Sequence, residues 1–140
     1  MKKIGLIVVS DYYQEISENL LKNCITTLKN NGLEADIKTV KGSLEIPTLI
    51  AHQINKKKYK FFIALGCIIK GKTPHFEFIS SAIVNSLLNL SVTFKIPVAN
   101  GIINSLNYKQ AVERSSKFKN KNKNKGIEAA EAIISLLKYI

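Results

Sequence analysis

Residue types that bind anions, stack on rings and transfer protons are concentrated in four short segments of this chain. These are residues 10–13, 42–45, 67–75 and 99–101. Together they hold two adjacent tyrosines, two carboxylates, a glycine-containing loop and one of the two histidines. Such a set can stack on a planar ring, hold an anion on backbone amides and move a proton near neutral pH. The segments therefore predict a ligand site, provided that the fold brings them together.

The third segment overlaps a literal match to the P-loop pattern GxxxxGK[ST], over residues 66–73. In a P-loop, backbone amides wrap phosphates and the lysine reaches the outer phosphate. Residues 67–69 are apolar, however, and continue a strand pattern. Pro74 also disfavours a helical Thr73, where the helix of a P-loop is already under way. We therefore expect no nucleoside triphosphatase here, but an anion site where Gly71 and Thr73 precede a helix.

Two further side chains are candidates for chemistry. His75 starts a helix and is either a surface or capping residue or a proton-transfer group. Arg114 is the single arginine among 21 basic residues, which suggests that its bidentate fork recognises an anion. His52 is expected on the surface, and Cys67 is expected to be a small buried residue rather than a nucleophile.

Short apolar, β-branched runs alternate with stretches of helical periodicity. The runs predict strands at residues 4–9, 35–40, 61–65 and 96–103. Helical spacing of apolar residues predicts helices around residues 16–28, 46–54, 79–90, 108–115 and 127–138. The residues Asn30, Asn31 and Gly32 mark the end of the first helix, and Pro47 lies in the first turn of the second.

Alternating strands and helices predict an α/β fold with a parallel sheet. Because the strand runs are apolar on both faces, helices are expected to cover both sides of the sheet. The expected architecture is a flavodoxin-like, three-layer sandwich with a four-stranded parallel sheet, in one domain over residues 1–140. Ligands of such sheets bind outside the carboxyl ends of the strands, where we expect the four segments to meet.

Composition excludes several classes of protein. The chain has 140 residues, 46% of them hydrophobic, which excludes overall disorder. Its net charge of +11 raises nucleic acid as a partner, but the lysines are spread and no nucleic-acid-binding motif is present. Two cysteines without CxxC spacing support neither a disulfide framework nor a zinc site.

No continuous apolar run reaches membrane length and no signal peptide is recognised, so we expect a cytoplasmic protein without a membrane partner. The lysine- and asparagine-rich segment 117–125 is expected to be a solvated loop.

Three blocks of sequence resemble the lumazine synthase family of riboflavin biosynthesis. They are GSLEIP at residues 42–47, ALGCIIKGKTPHFEF at 64–78, and QAVER at 110–114 followed by NKG at 124–126. The resemblance covers essentially the whole chain. It implies the condensation of 5-amino-6-(ribitylamino)uracil with 3,4-dihydroxy-2-butanone 4-phosphate to 6,7-dimethyl-8-ribityllumazine, phosphate and water. It also implies that no metal or organic cofactor is needed.

The resemblance assigns one group of residues to the pyrimidine substrate. Tyr12 would stack on the pyrimidine ring. The ribityl chain would be held by Ser43, Leu44 and Glu45. The pyrimidine pocket would be lined by the backbone of Cys67, Ile68 and Ile69. Leu44 departs from the family, which usually has an aromatic residue at this position.

A second group is assigned by resemblance to the phosphorylated substrate and to proton transfer. Lys72 and Thr73 would bind the phosphate, with Arg114 as its charged clamp. His75 would be the proton shuttle, and Lys125 matches a lysine near the site.

The family's pocket lies between neighbouring subunits of a pentamer, which implies a homopentamer here. Asn100, at a usually aromatic position, and Arg114 would come from the adjacent chain. The long loop between Arg114 and Lys125 favours a free pentamer over a closed shell. Riboflavin synthase is a possible partner. The alternatives to this enzyme are a non-catalytic homologue that acts in assembly, a basic nucleic-acid-binding module, and an archaeal-type riboflavin synthase.

Overall fold

The computed structural model describes residues 4–72, 75–116 and 124–140. Strands and helices alternate along most of this length, as the periodicity predicts. The elements, in chain order, are β1 (Ile4–Ser10), α1 (Gln14–Lys29), β2 (Glu34–Val40), the short 3-10 helix η1 (Ser43–Glu45), α2 (Ile46–Asn55), β3 (Phe61–Ile69), α3 (His75–Phe94), β4 (Val98–Ser105), α4 (Tyr108–Ser115) and α5 (Lys125–Leu137).

The four described strands form one parallel sheet in the order β2-β1-β3-β4. The central pair, β1 and β3, is almost entirely buried, with Val9 opposite Leu65 near its carboxyl end. The chain leaves β1 towards β2 and leaves β3 towards β4, so the strand order reverses between the two central strands. This confirms the predicted flavodoxin-like α/β sandwich, and it places the crevice that usually binds ligands at the carboxyl ends of β1 and β3.

The helices divide into two layers, one on each face of the sheet. Helices α1, α4 and α5 enclose one core with alternate residues of the central strands, including Ile7 and Leu65. Helices α2 and α3 enclose the other core with the intervening residues, including Val8 and Ala64. The alternation of buried faces along β1 and β3 explains why their sequences read as continuous apolar runs.

Two strand boundaries differ from the prediction, and both matter for the site. Strand β3 continues to Ile69, so residues 67–69 are strand and not a phosphate-wrapping loop. Strand β4 begins at Val98, because Pro97 has no N–H group for the ladder, and continues to Ser105. The placement of segment 99–101 at the carboxyl end of β4 was therefore wrong, since five further residues follow Asn100 in the strand.

Helix α3 leaves an apolar face uncovered. It spans 20 residues, of which only Ile83 and Leu87 are fully buried. Leu88 and Val92 are 61% and 68% exposed, and Val84 continues the same stripe one turn earlier. Within the described residues, α3 is the one helix long and apolar enough to span a membrane by length and composition alone. The prediction of no apolar run of membrane length overlooked it because Ser and Asn residues interrupt the run.

Candidate active site

The floor of the crevice is a tightly packed contact between β1, β3 and η1. The hydroxyls of Ser10 and Ser43 lie 3.0 Å apart, and both residues are buried. Gly66 of β3 lies directly beneath this pair, so that a Cβ atom at Gly66 would clash with the Ser10 hydroxyl and lie 2.7 Å from that of Ser43. The hydroxyl of Ser17 also donates to the Ser10 carbonyl. The Ser43 side chain is therefore committed to the protein interior, which leaves its backbone for a ligand.

Replacement of Gly66 by alanine is expected to destabilise the domain by about 1–3 kcal/mol, because the added methyl group overpacks this contact. Urea denaturation would measure the change in the free energy of unfolding. Gly71→Ala is the matched control, since nothing lies within 4 Å of a Cβ atom at Gly71. Equal stabilities of the two variants would contradict the described packing.

The predicted ribityl-binding residues form the rim that follows β2. The Gly42 N–H donates to Glu45 Oε1 at 3.0 Å, which fixes the carboxylate across the start of η1. Leu44 is 55% exposed beside it. The Glu45 carboxylate has acceptor positions beyond the one used by Gly42, and the neighbouring backbone groups add further donors and acceptors. Together they can hold a polyhydroxyl chain by hydrogen bonds. The structure thus places Ser43, Leu44 and Glu45 together, with Ser43 facing inward.

Three tyrosines cluster beyond the end of β1. Tyr12 is 75% exposed and its ring meets the Tyr13 ring edge-on, at 4.9 Å between centroids. The Tyr13 ring lies 6.2 Å from that of Tyr108, whose hydroxyl donates to Glu15 at 3.2 Å. Burial raises the pKa of both Tyr13 and Tyr108. Tyr12 therefore has a solvent-exposed ring face, and its ring is held in place by packing against Tyr13, which in turn packs near Tyr108.

Tyr108 was not singled out from the sequence. The available signal was Asn107, whose side chain accepts the Gln110 N–H at 2.9 Å and so caps α4. Such a cap places Tyr108 in the first helical turn. That turn follows the carboxyl end of β4, beside the predicted ligand edge.

The end of β3 presents Cys67, Ile68 and Ile69 to the crevice. Cys67 is buried, and the two isoleucines are half-buried. Desolvation by burial raises the pKa of the Cys67 thiol to about 12, although a hydrogen bond with Ser105 lowers it in part. A neutral thiol is a poor nucleophile, so the expected role of Cys67 as a small pocket-lining residue fits its surroundings.

Because of this raised pKa, Cys67 is expected to resist alkylation by iodoacetamide at pH 8 in the folded protein and to react readily in urea. The folded pKa is above the unfolded value of 9.0. The neutral thiol therefore contributes stability that is fully present below about pH 9 and is lost as the pH rises from about 9 towards the folded pKa of about 12. Mass spectrometry of Cys67-containing peptides measures the reaction. Equal alkylation rates in the folded and unfolded states would contradict this assignment.

The loop that follows β3 carries the predicted phosphate and proton-transfer residues. The Lys70 N–H donates to the Ser105 carbonyl at 2.9 Å, which ties the start of this loop to β4. Lys72 is exposed, and His75 is the exposed first residue of α3. Thr73, predicted to bind phosphate with its hydroxyl, lies outside the described residues, as does most of the segment 117–125.

Arg114 and Lys125 meet through a shared carboxylate. Glu128 Oε2 lies 3.9 Å from Arg114 Nη2 and 3.7 Å from Lys125 Nζ. Within the described part of the chain, the buried Nε of Arg114 has no hydrogen-bond partner. The sequence had assigned no role to Glu128, although its three-residue spacing from Lys125 on α5 was a usable signal. The two cations are held in one place by Glu128, with donor capacity left for an anion.

Arg114 also lines a cavity of about 340 Å³ at the carboxyl end of β4. The other residues of its wall are Asn104, Ser105, Gln110 and Glu113. Glu113 adds a negative charge to this wall, so the Arg114 fork is the group there that suits an anion.

Asn100 lies apart from the other predicted residues within one chain. It is opposite Ala64 in the middle of β4, and its side chain accepts the Ile102 N–H at 3.0 Å. At about 3.3 Å per residue, it is roughly 16 Å from the end of the strand. In the four-stranded sheet β4 is an edge strand. Asn100 is therefore available to a neighbouring molecule rather than to the crevice of its own chain.

The fold and the crevice define a flavodoxin-like α/β domain in which several candidate ligand-binding residues lie where the strand order reverses. The sequence model of the family described as 6,7-dimethyl-8-ribityllumazine synthase matches residues 2–140. A relative of the same name from Bartonella bacilliformis is 40% identical over 134 residues, with 94% of this chain and 86% of the relative covered. Another, from Buchnera aphidicola subsp. Baizongia pistaciae, is 38% identical over 143 residues, with 99% and 88% covered.

The chain belongs to the 6,7-dimethyl-8-ribityllumazine synthase family. It is accordingly an enzyme, a transferase of riboflavin biosynthesis. Among the described residues, no three His, Cys, Asp or Glu side chains are grouped so that they could hold a metal ion.

Proposed function

We propose that the crevice at the carboxyl ends of β1 and β3 condenses 5-amino-6-(ribitylamino)uracil with 3,4-dihydroxy-2-butanone 4-phosphate. The observation that carries this proposal is the convergence of Tyr12, η1 and the loop before His75 on one edge of the sheet. That edge offers a ring face, a hydrogen-bonding rim and a helix start, which are the features needed by a pyrimidine, a ribityl chain and a phosphate.

The reaction joins two substrates by two new bonds to nitrogen. The free amine of the pyrimidine adds to the ketone, and loss of water forms an imine. Loss of the proton at C3 of the butanone unit and departure of phosphate from C4 then leave, after tautomerisation, a carbonyl at C3 and a methyl group at C4. The ribitylamino nitrogen adds to this carbonyl and closes the second ring with loss of another water. Each of these steps moves a proton, so a histidine at the rim can serve as donor and acceptor in turn. Holding both substrates in one crevice lowers the entropic cost of their encounter.

His75 and Arg114 have distinct roles in this scheme. His75, exposed at the start of α3, would exchange protons with the reacting nitrogen and oxygen atoms. Arg114 would pair with the phosphate and stabilise its charge as it leaves, supported by Lys72 and Lys125. The α3 N-terminus adds partial positive charge on the same side of the site.

The site would be completed by a neighbouring copy of the chain in a homopentamer. Three features support this assembly: the open edge of β4 that carries Asn100, the unpartnered Nε of Arg114, and the uncovered stripe of Val84, Leu88 and Val92 on α3. An apolar stripe of this kind on a helix is typical of a protein interface. Head-to-tail contacts of one surface with a different surface close into a ring, which matches a pocket shared between adjacent subunits.

The cytoplasm is the proposed location, and riboflavin synthase is a possible partner because it would consume the lumazine product. Cys24 and Cys67 are both free and buried, which suits a reducing compartment. Burial raises the pKa of the Cys24 thiol to about 12, so this residue is also unreactive.

The proposal is tested by mixing the two substrates with the purified protein and following the absorbance of the lumazine product. Product formation that depends on the protein, with release of inorganic phosphate in equal amount, is the expected result. Folded, assembled protein that forms no product would overturn the proposal and favour a non-catalytic homologue.

A further inference from the structure

A second cavity, of about 660 Å³, lies at the opposite end of the sheet from the candidate active site. It is a partly open cavity bordered by the carboxyl ends of α2, α3 and α5, at the amino ends of β3 and β4. At about 3.3 Å per residue, the nine-residue strand β3 separates this cavity from the catalytic crevice by roughly 25 Å. The two sites are therefore physically distinct.

The walls of this cavity are mostly apolar. Ile54, Phe94, Pro97 and Leu137 contribute to them, one or two from each surrounding element. Tyr59 also lines the cavity, but its hydroxyl is engaged with Asp36 at 2.8 Å. The volume is within the usual range of small-molecule sites, roughly 300–1,000 Å³. Such walls suit an aliphatic or aromatic body.

Three lysines line the same cavity, namely Lys57, Lys60 and Lys95. No Asp or Glu side chain belongs to its wall. Within residues 4–72, 75–116 and 124–140, none of the three lysines forms an ion pair, whereas the neighbouring Lys58 is paired with Asp36 at 3.3 Å. The cavity therefore combines apolar walls with cations that lack a carboxylate partner in the described chain.

Two of these lysines have a backbone conformation that favours glycine. Lys57 and Lys95 have φ angles of +55° and +52°, and they follow the ends of α2 and α3. After α1, the chain places Gly32 in the left-handed conformation instead, with φ of +74°. A lysine in this conformation strains the backbone, and glycine would not. Both of these lysines line the cavity, so the two left-handed helix ends place positive charges at its wall where glycine would place none.

We propose that this cavity binds a small anionic amphiphile, with its apolar body against the walls and its carboxylate, sulfonate or phosphate group paired with Lys57, Lys60 and Lys95. The argument rests on the cavity and its charges and not on the condensation reaction. A bound ligand at the ends of α2 and α3 would contact the two helices that also flank the catalytic crevice, but from the other end of the domain.

The test compares two dyes, anionic anilinonaphthalene sulfonate and its uncharged analogue phenylnaphthylamine, by fluorescence titration of the purified protein. The wild-type chain is expected to bind one sulfonate dye per chain, more tightly than the neutral dye. The Lys57→Gly/Lys95→Gly variant relieves backbone strain, so it is expected to fold at least as stably as the wild type. Loss of two ion pairs should weaken its sulfonate binding about tenfold, with binding of the neutral dye unchanged.

Two further variants make the outcome decisive. Lys22→Gln/Lys38→Gln removes the same net charge from surfaces outside the cavity and should leave both dye affinities unchanged. Leu137→Trp, at a half-exposed wall position, should fill the cavity and weaken both dyes. Equal sulfonate affinity in the wild type and in Lys57→Gly/Lys95→Gly would overturn the proposal. Unchanged affinity for both dyes in Leu137→Trp would also overturn the proposal. Loss of dye binding as the chain self-associates would do the same, since a second copy of the chain would then occupy the cavity.

Discussion

An equimolar mixture of the His75→Ala and Arg114→Ala variants is expected to regain about a quarter of the wild-type activity after subunits are exchanged. Each site takes His75 from one chain and Arg114 from its neighbour, and each residue is intact in half of the chains. Random head-to-tail neighbours therefore place an intact His75 beside an intact Arg114 in about a quarter of the sites. Each variant alone should be nearly inactive, since loss of a proton-transfer group typically costs about 100- to 10,000-fold in rate. The lumazine absorbance assay measures both the single variants and the mixture.

A matched mixture distinguishes a shared site from nonspecific recovery. His75 and Tyr12 are expected on the same side of the subunit interface, so that every site formed from His75→Ala and Tyr12→Ala chains lacks one of the two groups. This second mixture should be no more active than the mean of the two variants measured separately. If the first mixture also stayed inactive after exchange had been verified by mass, the site would lie within a single chain and the proposed sharing would be wrong.

Replacement of Leu88 by aspartate is expected to dissociate the assembly and abolish activity while the fold of each chain is kept. Leu88 is exposed in the isolated chain, so the change leaves the two cores intact. In an assembled interface, however, the aspartate would bury an unpaired charge, which costs several kcal/mol per subunit. Light scattering gives the mass, circular dichroism reports the helices, and the condensation assay gives the activity.

Leu136→Asp is the control for this variant, because Leu136 is a similarly exposed apolar residue on α5. It should keep the mass and activity of the wild type. A Leu88→Asp protein with unchanged mass would show that the apolar face of α3 is not the subunit interface. The helix's length and hydropathy would then need another explanation, for which binding to lipid vesicles is the direct measurement.

Most of the fold could be predicted from the sequence because the buried central strands leave a strong signal. Strands β1 and β3 are apolar on both faces, and the i, i+4 series of α1 points into one core. The range of α4 was also predicted, and in the structure Asn107 caps this helix and Ser115 is its last residue. Hydrophobicity alone could not predict the role of α3, because an apolar face looks the same whether the same chain or a neighbour covers it.

The predicted site residues divide along physical lines. Tyr12 follows the end of β1 and Cys67 lies near the end of β3, where the rule for parallel sheets places ligand-binding residues. Asn100 does not lie at such a strand end, because β4 continues for five residues beyond it to Ser105. Glu128 was missed because the value of a helical carboxylate depends on which cations from other elements reach it, and Arg114 comes from α4.

Arg114, the single arginine of the chain, is positioned by its ion pair with Glu128. Lysines supply every other positive side chain behind the net charge of +11. Glu128 holds Arg114 beside Lys125, and the planar fork of Arg114 cannot be reproduced by a lysine. Arg114→Lys should therefore be far from conservative.

The buried contact between Ser10, Ser43 and Gly66 has a kinetic consequence for the enzyme. Because this contact joins the ends of β1 and β3 to η1, the surface proposed to receive the pyrimidine is built when the domain folds and does not have to be ordered by the substrate. The entropy of arranging that surface is lost once in the lifetime of the chain rather than in every turnover. The pyrimidine would then bind to a rigid surface at a rate limited by diffusional encounter. Any slow step would be the binding of the phosphorylated substrate or the chemical reaction.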